Sequence, residues 1–216
     1  MTWTPIVGKK FTVEEFRQYV SSLDLVHAPF KPLFVVHHNT SSPSRAQYDA
    51  YAHRSPPITD EQWLQNLAGY YQGLGWQAGP HLFIVPSGIC VFTPLTHRGT
   101  HTPSWNWCSW GIEMVGDYDT EPFKTDIGDN AVIASAILHA AAHLSPLPFQ
   151  LGRRGLHFHK EDPATTHRDC PGKNVIKADF VEAVMTAMQA VSGQGHPPDR
   201  DKAISGGEGK AAAVVA

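Results

Sequence analysis

The sequence predicts a single α/β domain built on a central mixed β-sheet flanked by helices. Three observations carry that expectation. Short apolar runs rich in β-branched residues alternate along the chain with segments whose apolar residues recur at helical spacing. One of those runs ends abruptly in polar, chemistry-bearing side chains, as strands of α/β sheets do at their carboxyl ends. And 216 residues, 42% of them hydrophobic, are enough to bury one sizeable core without disulfides.

Taken in order, Thr12-Val13-Glu14-Glu15 is a capping box, and Phe11, Phe16, Tyr19, Val20 and Leu23 follow at helical spacing, which predicts an amphipathic helix over 11–23. Pro29 and Pro32 stop it. Leu33 to Val36 reads as a buried strand that delivers His37, His38, Asn39 and Thr40 at its carboxyl end. Thr59-Asp60-Glu61-Gln62 caps a second helix through about Gln72, ended by Gly73 and Gly75. The runs His81 to Val85 and Ile89 to Phe92 flank Pro86-Ser87-Gly88, a hairpin signal, and Ser109 to Val115 is a further strand. A third helix spans 129–144 with Val132, Ile133, Ala136, Ile137 and Ala140 on one stripe; a fourth spans 174–191 with Val175, Phe180, Val184 and Met188 facing in. From Ser192 onward large apolar residues nearly vanish while Gly, Pro, Ala and charge accumulate. The expected organisation is therefore a domain over 1–191 and a disordered Gly/Ala/Pro-rich tail over 192–216. No repeat period appears.

Composition excludes several classes. Seventeen Lys and Arg against 20 Asp and Glu give a formal charge of -3, without the basic excess of a general nucleic-acid binder. Cys90, Cys108 and Cys170 are an odd, scattered set, so a disulfide scaffold is excluded and a reducing compartment of synthesis is expected, with any thiol chemistry being metal binding or catalysis. Met1 to Lys10 lacks the layout of a secretory signal. The longest apolar run, Ala131 to Leu144, is broken by Ser135, His139 and His143 and falls short of the roughly 20 residues of a membrane span. A monomer made in the cytoplasm, with no stable membrane insertion, is expected. The 13 histidines stand out, since imidazole is the commonest metal ligand.

Two constellations concentrate that chemistry. The pair His37-His38 proves little alone, because a strand-end histidine commonly satisfies a local hydrogen bond. The run from His157 through His159 and His167 to Cys170 is stronger: imidazoles and one thiol suit Zn²⁺, whose catalytic sites take three protein ligands and keep a fourth position open. If His157-Phe158-His159 is extended, both imidazoles share one face, and Cys170-Pro171-Gly172 forms a loop just before the last helix. A closed structural zinc site would need more than one nearby Cys. The loop from Gly99 to Ser109, with His101, Trp105, Asn106 and Trp107, serves either as rim packing or as a surface that stacks on sugars and reads amides. Cys90 and the remaining histidines read as structural or solvated groups.

In the order FVVHHNT, the hairpin GPHLFIVPSG, SWGIEMVGD and CPGK along its sequence, the chain resembles the zinc-dependent N-acetylmuramoyl-L-alanine amidases of class 2. That family shares its fold with peptidoglycan recognition proteins, phage endolysin amidases and cytoplasmic anhydromuropeptide amidases, and the likeness spans roughly residues 30 to 190. The resemblance implies a mixed sheet with helices on its faces and one Zn²⁺ in a surface groove. The implied activity is hydrolysis of the amide joining the lactyl group of N-acetylmuramic acid to L-alanine of the stem peptide. Carried across by motif, the metal ligands are His37, His159 and Cys170, with His157 as the alternative second histidine. Glu113 matches the general base. His167 or Arg168 stands where a cation stabilises the oxyanion, while His81, His101, Trp105 and Asn106 are expected to bind substrate. One departure is Gly79-Pro80-His81, where many members carry Gly-Tyr-His; proline has no hydroxyl to offer.

The implied substrate is peptidoglycan or a muropeptide, the implied cofactor Zn²⁺, and the implied role wall lysis as an endolysin that reaches the wall through a partner such as a holin. Rival readings are a non-catalytic peptidoglycan-binding module, which usually loses the Cys ligand, a cytoplasmic anhydromuropeptide-recycling amidase, and a Cys/His peptidase with Cys170 as nucleophile.

Overall fold

The structure, a computed structural model, describes residues 5–7, 9–144 and 155–193. The expected tail lies, from residue 194 on, outside the described residues. In chain order the elements are β1 (Lys10–Phe11), α1 (Val13–Ser21), β2 (Phe34–Asn39), α2 (Arg45–Asp49) running into a 3₁₀ turn (Ala50–His53), α3 (Asp60–Gly73), β3 (Leu82–Val85), β4 (Gly88–Val91), β5 (Ser109–Met114), α4 (Asp126–Ala141), β6 (Gly155–Phe158), a second 3₁₀ turn (His159–Glu161) and α5 (Lys177–Gly193). They form the mixed α/β domain the alternation predicts, around one six-stranded sheet in the order β1-β4-β3-β5-β2-β6. The β1, β4 and β3 strands pair antiparallel, whereas β3, β5, β2 and β6 run parallel.

Local chemistry sets the element ends. At α1 the Thr12 hydroxyl accepts from the Glu15 N–H while the Glu15 carboxylate accepts from the Thr12 N–H at 2.8 Å, the reciprocal box read from the sequence. The Thr59 hydroxyl accepts from the Gln62 N–H at 3.1 Å and starts α3. The last helix begins three residues later than its periodicity suggests. Asn174 is held outside it, its backbone N–H donating to the Tyr118 carbonyl and its carboxamide to the Glu121 carbonyl, both at 2.9 Å.

Strand alternation decides what each sheet face carries. On one face Val35, Ile112, Leu82 and Leu156 join the main core, which α1, α4 and α5 cover. The opposite face is divided. Over β3 and β4 it is covered by α3, where Trp63 meets Phe83 edge-on at 5.4 Å. Over β2 and β6 a loop covers Phe34 and Val36 with Cys108 and Trp105. Between α3 and that loop the face stays open at the carboxyl ends of the parallel strands, where α/β sheets bind ligands.

Candidate active site

The register of β2 and β5 pairs His38 with Glu113, so both side chains lie on the open face. His37, one residue earlier, lies on the other. It is fully buried, 4.7 Å from the Phe180 ring of α5 and 6.5 Å from Phe158, with both ring nitrogens unpaired. Burial, with His139 nearby, pushes its pKa down to about 3. The side chain that joins His159 and Cys170 is therefore His38, and the sequence assignment of His37 is corrected by strand parity. One ligand atom from each of His38, His159 and Cys170 lies within 4.8 Å of the others, a candidate three-ligand metal centre.

Each of the three is held from behind. The His38 Nε2 sits 3.1 Å from His101 Nδ1. His159 opens the 3₁₀ turn after β6, and its Nε2 lies 2.8 Å from the Thr165 hydroxyl. The Lys160 N–H donates to the Cys170 carbonyl at 3.0 Å and fastens the two ends of the 159–170 loop together. Buried Asp162 ties that loop to its neighbour, accepting from the Ser104 N–H at 2.8 Å. His157, the alternative to His159, lies one register step deeper, packed between Phe34 and Trp105 with Nδ1 2.8 Å from the Glu161 carboxylate, and does not reach the cluster.

The cluster lies in the wall of a cavity of about 700 Å³ that Glu113, Tyr71, Trp76, His167 and Arg168 also line. Glu113 keeps part of its side chain open to the cavity, while protein on every other side pushes its carboxyl up to about 8. Burial, and then Glu113, push the Cys170 thiol up as well. The His167 ring stacks 5.1 Å from that of His159, and His167 and Arg168 are exposed. A second cavity of about 430 Å³ adjoins the first and shares Trp76, Thr100, His101, His159, Thr166 and His167 with it.

The four residues expected to bind substrate divide. His81 is fully buried: Nε2 donates to the His97 carbonyl at 2.9 Å and Nδ1 accepts from the Gly111 N–H at 3.0 Å, so it organises the hairpin and lines neither of these two cavities. Trp105 packs on Phe34 and His157 and lines neither cavity, which makes it rim packing. His101 and Asn106 do line cavity walls, but the Asn106 carboxamide oxygen is used internally, accepting from the His101 and Thr102 N–H groups at 2.7 and 2.8 Å. Both His101 ring nitrogens are likewise engaged within the protein, and burial pushes its pKa down to about 3. Sequence reasoning missed the opposite wall, formed by Leu67, Tyr70, Tyr71 and Trp76. Tyr71 is stacked on Trp76 at 4.6 Å, and burial, with Glu113 nearby, pushes its hydroxyl up. The signal was present as Trp63, Leu67, Tyr70 and Tyr71, a helical i, i+4, i+7, i+8 stripe.

These features define a class: a mixed α/β protein whose parallel strand ends carry an open His, His, thiol cluster beside a half-buried carboxylate, the layout of a metal-site hydrolase. Comparison with known families narrows it. Residues 29–173 match the N-acetylmuramoyl-L-alanine amidase family, and the chain belongs to that family and is an enzyme of that amidase class. No curated protein matches it significantly. Among solved structures it is similar to the endolysin N-acetylmuramoyl-L-alanine amidase LysCS from Clostridium intestinale URNW, with 18% identity over 86% of this chain and 91% of that one and a TM-score of 0.53. It is also similar to the Drosophila peptidoglycan recognition proteins PGRP-LB, with 18% identity over 83% and 85% and a TM-score of 0.53, and PGRP-SA, with 17% identity over 77% and 88% and a TM-score of 0.50. At these identities the likeness speaks to the fold. Among the described residues no helix is long and apolar enough to cross a membrane.

Proposed function

We propose that the groove is the catalytic centre of a zinc-dependent peptidoglycan amidase. It cleaves the amide between the lactyl group of N-acetylmuramic acid and L-alanine of the stem peptide, and acts on the wall as an endolysin. The observation that carries this reading is the convergence of His38, His159 and Cys170 within 4.8 Å in the wall of a cavity that Glu113 shares. The donor set fits zinc, because two imidazoles and one thiol supply three ligands and leave a fourth position open. Bound there, zinc supplies a Lewis acid that polarises a carbonyl and lowers the pKa of water toward about 7.

The chain's own groups do the rest. A Glu113 carboxylate oxygen takes a proton from the attacking water and returns it to the departing L-alanine nitrogen; its raised pKa suits both transfers near neutrality. His167 and Arg168, on the loop that ends in Cys170, offer N–H groups to the developing oxyanion. The Tyr71 and Trp76 rings form an apolar wall suited to the face of a sugar. The two cavities adjoin through shared lining residues, which supports a substrate extended along the groove. Purified protein incubated with intact sacculi and, separately, with soluble anhydromuropeptides tests the reading by mass spectrometry. Free stem peptides beginning at L-alanine, released from sacculi, are expected; hydrolysis of anhydromuropeptides alone would make it a recycling enzyme, and no cleavage of either would leave a binding module.

A further inference from the structure

The hydrogen bonds behind His38 run in one direction, from His38 through His101 to Ser109. His101 is 8% exposed, and its Nε2 lies 3.2 Å from the Ser109 carbonyl oxygen and 3.3 Å from the Ser109 hydroxyl. That hydroxyl has its one proton committed, donating to the Trp105 carbonyl at 2.7 Å. Both oxygens at His101 Nε2 are therefore acceptors, so Nε2 carries the proton. A second proton on the ring would bury a cation beside His38, His81 and His159 with no carboxylate hydrogen-bonded to it. His101 Nδ1 is then an acceptor, and the group 3.1 Å away, His38 Nε2, is its donor. What remains free on His38 is the lone pair of Nδ1.

The ring that imposes this is itself fixed. The His101 N–H donates to the Asn106 carboxamide oxygen at 2.7 Å, and its ring lies perpendicular to that of His38. It also lies directly over Gly111, where any Cβ would collide with it, so only glycine at that point of β5 admits the imidazole.

We propose that His101 is a positioning residue: the Ser109 carbonyl, acting through His101, fixes His38 as its Nε2–H tautomer and presents Nδ1 to the metal. The inference rests on the zinc reading above for the identity of the ligand, but the tautomer can be measured without metal. Long-range ¹H–¹⁵N correlation of the metal-free, histidine-labelled protein at neutral pH is expected to show the Nε2–H form for both His38 and His101; an Nδ1–H form of His38 overturns the proposal. Zinc affinity, read by competition with a chromogenic chelator, is expected to weaken about 10- to 100-fold in His101→Phe. His101→Gln, whose amide offers an acceptor to His38 and a donor to Ser109, is expected to recover most of that loss. Unchanged zinc affinity in folded His101→Phe overturns the proposal, as does a Gln variant that folds and binds no better than Phe. Should His101→Phe fail to fold, the tautomer and the Gln variant decide. An unaltered protein with the expected tautomers that binds no zinc would overturn the zinc reading, and with it the metal-presenting role, while leaving the hydrogen-bond direction established.

Discussion

At the scale of single residues, the roles proposed for Cys170 and Glu113 separate metal binding from chemistry. Cys170→Ser replaces a thiolate with a neutral hydroxyl, a far poorer ligand, so both bound zinc and turnover are expected to be lost. Metal analysis and an amidase assay on one preparation check this, and stoichiometric zinc with full turnover would remove Cys170 from the centre. Glu113→Gln keeps the shape but cannot accept a proton. Zinc content and fold are expected to survive while turnover falls by roughly 10² to 10⁴. Unchanged kcat per folded molecule would instead make Glu113 a structural group. Glu113, His159 and Cys170 were named through the family resemblance, with His157 left open beside His159, and the structure brings the three named residues into the wall of one cavity. The choice between His37 and His38 was not, because Phe34-Val35-Val36 is apolar at every position and buried on both faces, so alternation carries no parity signal. The roles of His81 and His101 were hidden for another reason: their partners, His97, Gly111, Ser109 and His38, are fixed only by tertiary contact.

Among the elements, α3 bears most directly on the groove, because its carboxyl end supplies the aromatic wall. Its first turn is anchored by Asp60, whose carboxylate accepts from Lys10 of β1 and Tyr48 of α2 at 2.8 Å and from Ser87 of the hairpin turn at 2.7 Å. Burial alone would raise this carboxyl, but the Lys10, Ser87 and Tyr48 hydrogen bonds outweigh it and hold the pKa below 3.8. A depressed folded pKa contributes stability that is present above about pH 3.8 and lost as pH falls through the folded value. Asp60→Asn is therefore expected to lose about 1 kcal/mol at pH 7, with the gap to the unaltered protein closing in acid. Melting curves at pH 7 and pH 2.5 check the sign; a gap that widens in acid would contradict it. Long, periodic elements with caps were read correctly in kind, with ends off by a few residues. The two-residue β1 and five-residue α2 left no periodicity to find.

For the whole molecule, the fold follows from the alternation of strands and helices, and the family match over residues 29–173 agrees with it. Residues 194–216 contain two valines and an isoleucine as their only large apolar side chains. Removing them is expected to leave the melting temperature and hydrolysis of soluble muropeptide unchanged. A large drop in either would show that the segment docks on the domain. The proposed zinc ion, held by His38, His159 and Cys170, makes amide hydrolysis metal-dependent, and a titration measures that dependence. Turnover of a soluble muropeptide is followed as the protein is stripped with a chelator, dialysed and given back Zn²⁺ in steps. Turnover is expected to disappear on stripping and to return in proportion to added metal, reaching a plateau at one zinc per chain; full turnover in the metal-free protein would show that hydrolysis needs no zinc.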